Sequence, residues 1–127
     1  MSTKTLRVPF DHTLADRVRE RLEGRDGVVE LTMFGGWGAT IRGNLAVGVL
    51  GDDLIVRVGP HAYDDALARP GTRPFDFTGR PMTGWVYVDG KAVTNGQRLT
   101  GWVRRGVAFA DSLPAKPARK RAARRQA

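Results

Sequence analysis

The feature that most limits the fold of this chain is an alternating apolar pattern between residues 28 and 58. Trp37, Ala39 and Ile41 occupy every second position, and the same period of two continues in the segments that follow. This period places apolar side chains on one face of a β-strand. The pair Gly43-Asn44 separates two such segments and predicts a two-residue hairpin turn. The pattern therefore predicts an antiparallel β-meander with one well-buried face.

A glycine-rich segment, residues 33–38, stands at the start of this meander. Its glycines, among them Gly35 and Gly36, allow sharp turns and close approach by another group. One interpretation is a strand-to-strand corner from which Phe34 and Trp37 enter the core. The other is a binding surface on which Trp37 anchors a partner, since tryptophan is enriched at binding hot spots.

Amphipathic segments flank the meander and predict about three helices. Apolar residues at a spacing of four indicate a first helix over residues 11–22, and similar patterns indicate helices over 61–68 and from Thr94 or Asn95 to Leu113. Residues 84–88 predict one later strand, and residues 74–81 an irregular connection. The order α-β-β-β-β-α-β-α predicts an α+β fold, a two-layer sandwich in which helices cover one face of an antiparallel sheet.

The net charge of +8 is concentrated at the end of the chain. Residues 112–127 contain no acid and six cations: Lys116, Arg119, Lys120, Arg121, Arg124 and Arg125. With so little apolar surface, this segment is predicted to be a disordered basic tail that follows a folded domain over residues 1–111. Two roles remain open for it: a solubilising extension, or sequence-independent contact with nucleic-acid phosphates. The tail has no aromatic residue for base stacking, so we expect no sequence readout.

The composition offers little for catalysis or metal binding. The chain has no cysteine, two isolated histidines, and two serines without a catalytic context. We therefore predict no catalytic residue, no metal site, no cofactor and no enzyme activity. No apolar run approaches the roughly 20 residues of a membrane helix. The N-terminus lacks the apolar core of a signal peptide, which favours a cytoplasmic location.

Arg57 and Arg80 are the remaining candidates for a site. If they meet near one end of the sheet, they could hold an anion or an acidic partner. The structural alternative is that each pairs with a local acid such as Asp76, Asp64 or Asp65. The first interpretation gives an alternative function, a domain that binds a small molecule or an anion, or an uncharacterised enzyme with a pocket near the two arginines.

Several segments, taken in order and spacing, resemble the N-terminal domain of the TfoX/Sxy family of bacterial competence regulators over roughly residues 11–116. They are Met33-Phe34-Gly35-Gly36, Gly43-Asn44, residues 54–60, Tyr63, residues 74–82, residues 84–88, Trp102, and Leu113-Pro114 with Lys116.

The resemblance implies a small two-layer α+β domain without known catalytic residues. It also implies a cytoplasmic regulator, since competence regulators of this family are transcriptional co-activators that work with the cyclic-AMP receptor protein. These regulators carry a second helical domain, in whose place this chain has the basic tail. We therefore expect a regulatory domain that acts through contacts with a protein partner, such as a regulator or the transcription machinery. Both a monomer and a homodimer are compatible with the sequence.

Overall fold

The computed structural model describes residues 10–116, which form one antiparallel sheet and three α-helices. The strands are β1 (Val28–Met33), β2 (Gly36–Ile41), β3 (Asn44–Leu50), β4 (Asp53–Arg57), β5 (Thr72–Pro74) and β6 (Trp85–Val88). The helices are α1 (His12–Leu22), α2 (Tyr63–Leu67) and α3 (Gly96–Asp111), and a 3₁₀ turn covers Gly90–Val93. This architecture confirms the predicted α+β class and the predicted order of its main elements.

The six strands lie in the order β1-β2-β3-β4-β6-β5, and every neighbouring pair is antiparallel. Strand β5 was not predicted, because the sequence of residues 74–81 indicates an irregular connection. Thr72 to Pro74 nevertheless pair with Val88 to Val86 of β6. Pro74 cannot donate a backbone hydrogen bond, which is tolerated here because β5 is an edge strand.

Two-residue turns close the first two hairpins of the sheet. Phe34 and Gly35 have φ angles of 52° and 80°, and Arg42 and Gly43 have φ angles of 51° and 86°. Positive φ at both central residues is the pattern of tight hairpin turns whose twist matches that of the strands. The second turn is thus one residue earlier than the predicted Gly43-Asn44, since Asn44 already belongs to β3 and pairs with Ile41.

Side-chain caps begin the two longer helices. The Asp11 carboxylate accepts hydrogen bonds from the backbone N–H groups of Thr13 and Leu14 at the start of α1. The Asn95 side chain does the same for α3. Both residues therefore satisfy backbone donors that a helix N-terminus otherwise leaves unpaired.

The main core lies between one face of the sheet and the helices α1 and α3. Val18, Val47 and Leu99, from one helix, one strand and the other helix, are fully buried in it. Helix α3 approaches β3 closely at Gly106, where an added Cβ would overlap the backbone of Ala46. Glycine at this position therefore permits the close contact between helix and sheet.

The chain beyond α3 continues along the β2–β3 hairpin as far as Lys116. The backbone N–H of Lys116 donates to the Arg42 carbonyl at 2.7 Å, and Asn44 Nδ2 donates to the Pro114 carbonyl at 2.9 Å. Residues 112–116, the first part of the predicted tail, are therefore held against the hairpin. Residues 117–127 lie outside the described part of the chain.

No helix between residues 10 and 116 combines the length and the apolar character that a membrane crossing requires.

Candidate functional site

A second apolar cluster lies on the face of the sheet that α1 and α3 leave uncovered. Its buried members are Ile55, Phe75 and Tyr87, and Met33, Leu50, Met82 and Trp85 pack against them. The rings on this face, Phe34, Phe75, Phe77, Trp85 and Tyr87, form what we call the aromatic cluster.

Phe75 is the centre of the aromatic cluster and is fully buried. Its ring centroid lies 4.9 Å from that of Tyr87, 5.7 Å from that of Trp85 and 5.6 Å from that of Phe34. Phe34 and Phe77 lie 4.8 Å apart and remain 40% and 48% exposed. The cluster therefore presents two adjacent rings to solvent above a buried aromatic base.

Three separate parts of the chain supply these rings. Phe34 comes from the β1–β2 turn, and Trp85 and Tyr87 are alternate residues of β6, so they share one face of the sheet. Phe75 and Phe77 follow β5, where the chain folds back on itself. The backbone N–H of Met82 donates to the Phe75 carbonyl at 3.0 Å, which closes this loop over the sheet.

Phe34 has an unusual backbone conformation for an aromatic residue. Its φ of 52° lies in the left-handed region, which bulky side chains rarely adopt. Such a conformation costs roughly 1–2 kcal/mol for an L-residue other than glycine. Strain of this kind concentrates at functional sites. At the turn, asparagine or glycine would be less strained, so the phenylalanine is not explained by turn formation.

Trp37 is part of the main core, with 5% of its surface exposed. Its indole Nε1–H donates to Glu30 Oε1 at 2.9 Å, and the Arg19 guanidinium lies 5.2 Å from its ring centroid. This burial corrects the interpretation of Trp37 as a surface anchor. The exposed ring of the glycine-rich corner is that of Phe34.

The carboxylate of Glu30 links this corner to α1. Arg19 Nε donates to both Glu30 oxygens at 2.9 Å. The hydrogen bond from Arg19, followed by that from Trp37, lowers the pKa of Glu30 below its ordinary value of 4.5. The ionised carboxylate is therefore the form that fits this arrangement.

The two glycines of the corner have different roles. Gly35 lies in the turn with positive φ, next to Phe34. Gly36 begins β2, and a Cβ at this position would overlap the backbone carbonyl of Val49. Both glycines are therefore explained by the geometry of the hairpin and its neighbour β3.

Arg57 and Arg80 have different surroundings. The Arg57 guanidinium lies 5.5 Å from the Trp85 ring centroid and 5.2 Å from that of Phe109, and burial lowers the pKa of Arg57. Arg80 lies exposed on the loop between Phe77 and Met82. Among residues 10–116 no hydrogen bond or ion pair joins either arginine to an acid or to a shared group. An anion site formed by Arg57 and Arg80 therefore remains a prediction.

The charged residues of the predicted tail fall mostly beyond the described chain. Lys116 is described, and its backbone binds the β2–β3 hairpin. Arg119, Lys120, Arg121, Arg124 and Arg125 lie outside residues 10–116. Within residues 10–116 no three His, Asp or Glu side chains lie close enough together to hold a metal ion.

The aromatic cluster is not predicted as a site by the sequence. Phe75 and Phe77, and likewise Trp85 and Tyr87, are two residues apart, which is the spacing of side chains on one face of a strand. This spacing indicates that the two rings of each pair lie on the same side of the chain. What it could not show is that both pairs meet Phe34 on the same side of the sheet.

Together the fold and this surface define a small two-layer α+β domain with an aromatic cluster on its uncovered sheet face. The model of the TfoX N-terminal domain family matches residues 20–110, and the chain belongs to that family. The resemblance seen in the sequence is thereby confirmed. The chain matches no curated protein and no solved structure.

Proposed function

We propose that this chain is a non-enzymatic regulatory domain that binds a protein partner through the aromatic cluster. The observation that carries the proposal is the pair Phe34 and Phe77, two adjacent exposed rings supported by the buried ring of Phe75. Contiguous exposed apolar surface marks interaction sites, and aromatic anchors supply much of the binding energy at interfaces.

The surroundings of the aromatic cluster suggest the chemistry of the partner segment. Arg73 lies 4.4 Å from the Tyr87 ring centroid, and Arg57 lies over Trp85. Both cations thus stack on rings of the aromatic cluster, and Arg73 also pairs with Asp53 at 3.0 Å. An apolar side chain flanked by acidic residues would complement such a surface, since charges at a rim favour the approach and orientation of a partner.

Membership of the TfoX N-terminal domain family supports a regulatory rather than a catalytic role. The narrower role in competence and transcription, and a cytoplasmic location, belong to the same proposal. The basic tail adds a second contact in this proposal: weak, sequence-independent binding of nucleic acid by Lys116, Arg119, Lys120, Arg121, Arg124 and Arg125.

The proposal is tested by affinity capture from the native host with nuclease present, using three full-length forms of the chain. These are the wild type, a Phe34→Asn/Phe77→Ser variant, and a variant in which glutamine replaces the five tail cations after Lys116. We expect one protein to bind the wild type and the tail variant but not the Phe34/Phe77 variant. Equal recovery of that protein by all three forms would contradict the assignment of the surface.

Light scattering on the same forms tests a second copy of the chain as the occupant of the aromatic cluster. A dimer that dissociates in the Phe34→Asn/Phe77→Ser variant would make the chain its own partner. A wild-type monomer leaves the surface to a different protein.

A further inference from the structure

The outer surface of α3 carries a cleft of about 310 Å³ that the proposed function does not use. It lies on the helical side of the domain, opposite the aromatic cluster. Arg69, Arg98, Gly101, Trp102 and Arg105 line it. On α3, residues 98, 101, 102 and 105 are three, four and seven positions apart and so share one helix face.

Two of the three arginines are held in place by one carboxylate. Arg105 Nη2 donates to Asp65 Oδ2 at 3.1 Å, and Arg69 Nη2 donates to the same oxygen at 3.3 Å. The hydrogen bond from Arg105, followed by the charge of Arg69, lowers the pKa of Asp65. Since one negative charge faces two guanidinium groups, this part of the cleft keeps a net positive charge.

The buried ring of Trp102 forms the floor of the cleft beneath Arg105. The Arg105 guanidinium lies 5.2 Å from the centroid of this ring. A guanidinium that is stacked on a ring and bound to a carboxylate loses little further freedom when it binds an anion. Arg98 is exposed at the cleft and makes no side-chain hydrogen bond or ion pair within residues 10–116.

Gly101 provides an independent observation. Glycine is among the poorest residues for a helix interior, yet Gly101 lies inside α3. An added Cβ would meet no atom within 4 Å, so packing within the described residues does not require glycine. Gly106 of the same helix differs, because a Cβ there would overlap Ala46. The missing side chain at Gly101 leaves open the space between Arg98 and Arg105.

We propose that this cleft binds the phosphate group of a small phosphorylated molecule. Guanidinium groups recognise phosphate oxygens through paired N–H donors, and three arginines line this cleft together with Gly101. The cleft has room for more than the phosphate, since Pro70 and Ala92 extend its wall with apolar surface. The ligand class is therefore a phosphate monoester rather than phosphate alone.

The test is a titration of the full chain with glycerol 3-phosphate and, separately, with inorganic phosphate and glycerol, followed by two-dimensional NMR of backbone and indole N–H groups. We expect saturable shifts of the Gly101 amide and the Trp102 indole with the ester, and none with glycerol. Reporting on these two groups separates the cleft from the basic tail. Absence of such shifts, or clearly tighter binding of inorganic phosphate, would overturn the proposal.

Matched substitutions on one helix sharpen the test. Arg98→Ala and Arg105→Ala should each weaken binding by about tenfold, because each removes a charged donor. Arg104→Ala, at the neighbouring position outside the lining of the cleft, should change it by less than about twofold. Equal losses in all three variants would indicate unspecific attraction to a basic helix and overturn the site.

Two further variants should change the affinity for the ester in opposite directions. Asp65→Asn removes the competing negative charge, while the amide oxygen can still accept from Arg69 and Arg105 and hold them in place, so binding should tighten about threefold. Gly101→Leu should raise the melting temperature by about 3–5 °C through helix propensity, while it weakens binding at least about tenfold by filling the cleft. A stabilised Gly101→Leu variant with unchanged affinity would place the ligand elsewhere and overturn the proposal.

Discussion

The ring of Phe34 contacts the ring of Phe77 at a centroid distance of 4.8 Å, although more than forty residues separate the two in the chain. Phe34 is fixed by the first hairpin turn and Phe77 by the loop that follows β5. Both rest against buried Phe75. The exposed pair is therefore held by the fold in one geometry, and this pre-organisation favours binding.

Phe34→Asn is expected to separate stability from partner binding. Asparagine tolerates positive φ, so relief of roughly 1 kcal/mol of backbone strain should offset the lost ring contacts. The free energy of unfolding in urea should change by less than about 1 kcal/mol, while partner binding is lost. Val29→Thr serves as the control, because Val29 is also exposed but lies at the other end of β1. A loss of binding in both variants would argue against the aromatic cluster.

Glu30→Gln is expected to change the pH dependence of stability. Because Arg19 and Trp37 lower the pKa of folded Glu30 below 4.5, its contribution is present above that pH and is lost as the pH falls below it. The variant should lose less than about 1 kcal/mol at pH 7, since the ion pair is largely exposed.

Urea unfolding at pH 7 and pH 3 checks this expectation, and the difference between wild type and Glu30→Gln should shrink at pH 3. Glu20→Gln is the control, since Glu20 approaches Arg21 only at 3.9 Å and is well exposed. A constant difference at both pH values would show that the charge of Glu30 is not what matters.

Alanine at two glycines of α3 should have opposite effects on stability. At Gly101 there is open space, and the gain in helix propensity should stabilise the domain by about 1 kcal/mol. At Gly106 the added methyl group must displace the helix from Ala46 and Val47, and we expect a net loss of about 1–2 kcal/mol. Denaturant unfolding of both variants measures the difference, and equal changes would refute the close packing of α3 on β3.

The basic tail should give nucleic-acid binding that depends strongly on salt. If all six cations contact duplex DNA, the logarithm of the affinity should fall with the logarithm of salt concentration at a slope near −5, from roughly −0.9 per contact. Replacing the five cations after Lys116 by glutamine should reduce the slope to about −1. Gel-shift titrations on DNAs of unrelated sequence measure it, and identical slopes for both forms would remove the tail from the interaction.

Asn44→Ala should loosen the chain that follows α3. The substitution removes the donor to the Pro114 carbonyl and should cost about 1 kcal/mol. Hydrogen exchange at the Lys116 amide should become faster, while the Val58 amide, bonded to the Gly84 carbonyl at 2.8 Å, should be unaffected. Unchanged exchange at Lys116 would mean that its own bond to Arg42 is sufficient.

The sequence predicted the meander and the helices because long periodic segments specify which side faces the core. It did not predict β5, since three residues ending in Pro74 carry too little pattern and depend on pairing with β6. It also placed the second turn one residue late. Asn44 is a typical turn residue, but its side chain is used to hold Pro114, and Arg42 adopts the positive φ instead.

The candidate site was less predictable than the fold. From the sequence, the corner could be a structural turn or a binding surface, and the binding interpretation named Trp37 as the anchor. Which of two neighbouring aromatic residues is buried depends on distant groups: Glu30 and Arg19 cover Trp37. Likewise, Arg69 and Arg105 of α3 meet at Asp65 because of how the chain after α2 packs, and no local sequence pattern encodes that packing.

The bond between the Lys116 N–H and the Arg42 carbonyl joins the end of the described chain to the β2–β3 hairpin. More than seventy residues separate the two along the sequence, so this contact is among the longest-range ones in the domain. Residues 112–116 can therefore dock only after the hairpin and α3 are both in place. Any substitution that opens the hairpin turn should release this segment as well, even if the substituted residue does not touch it.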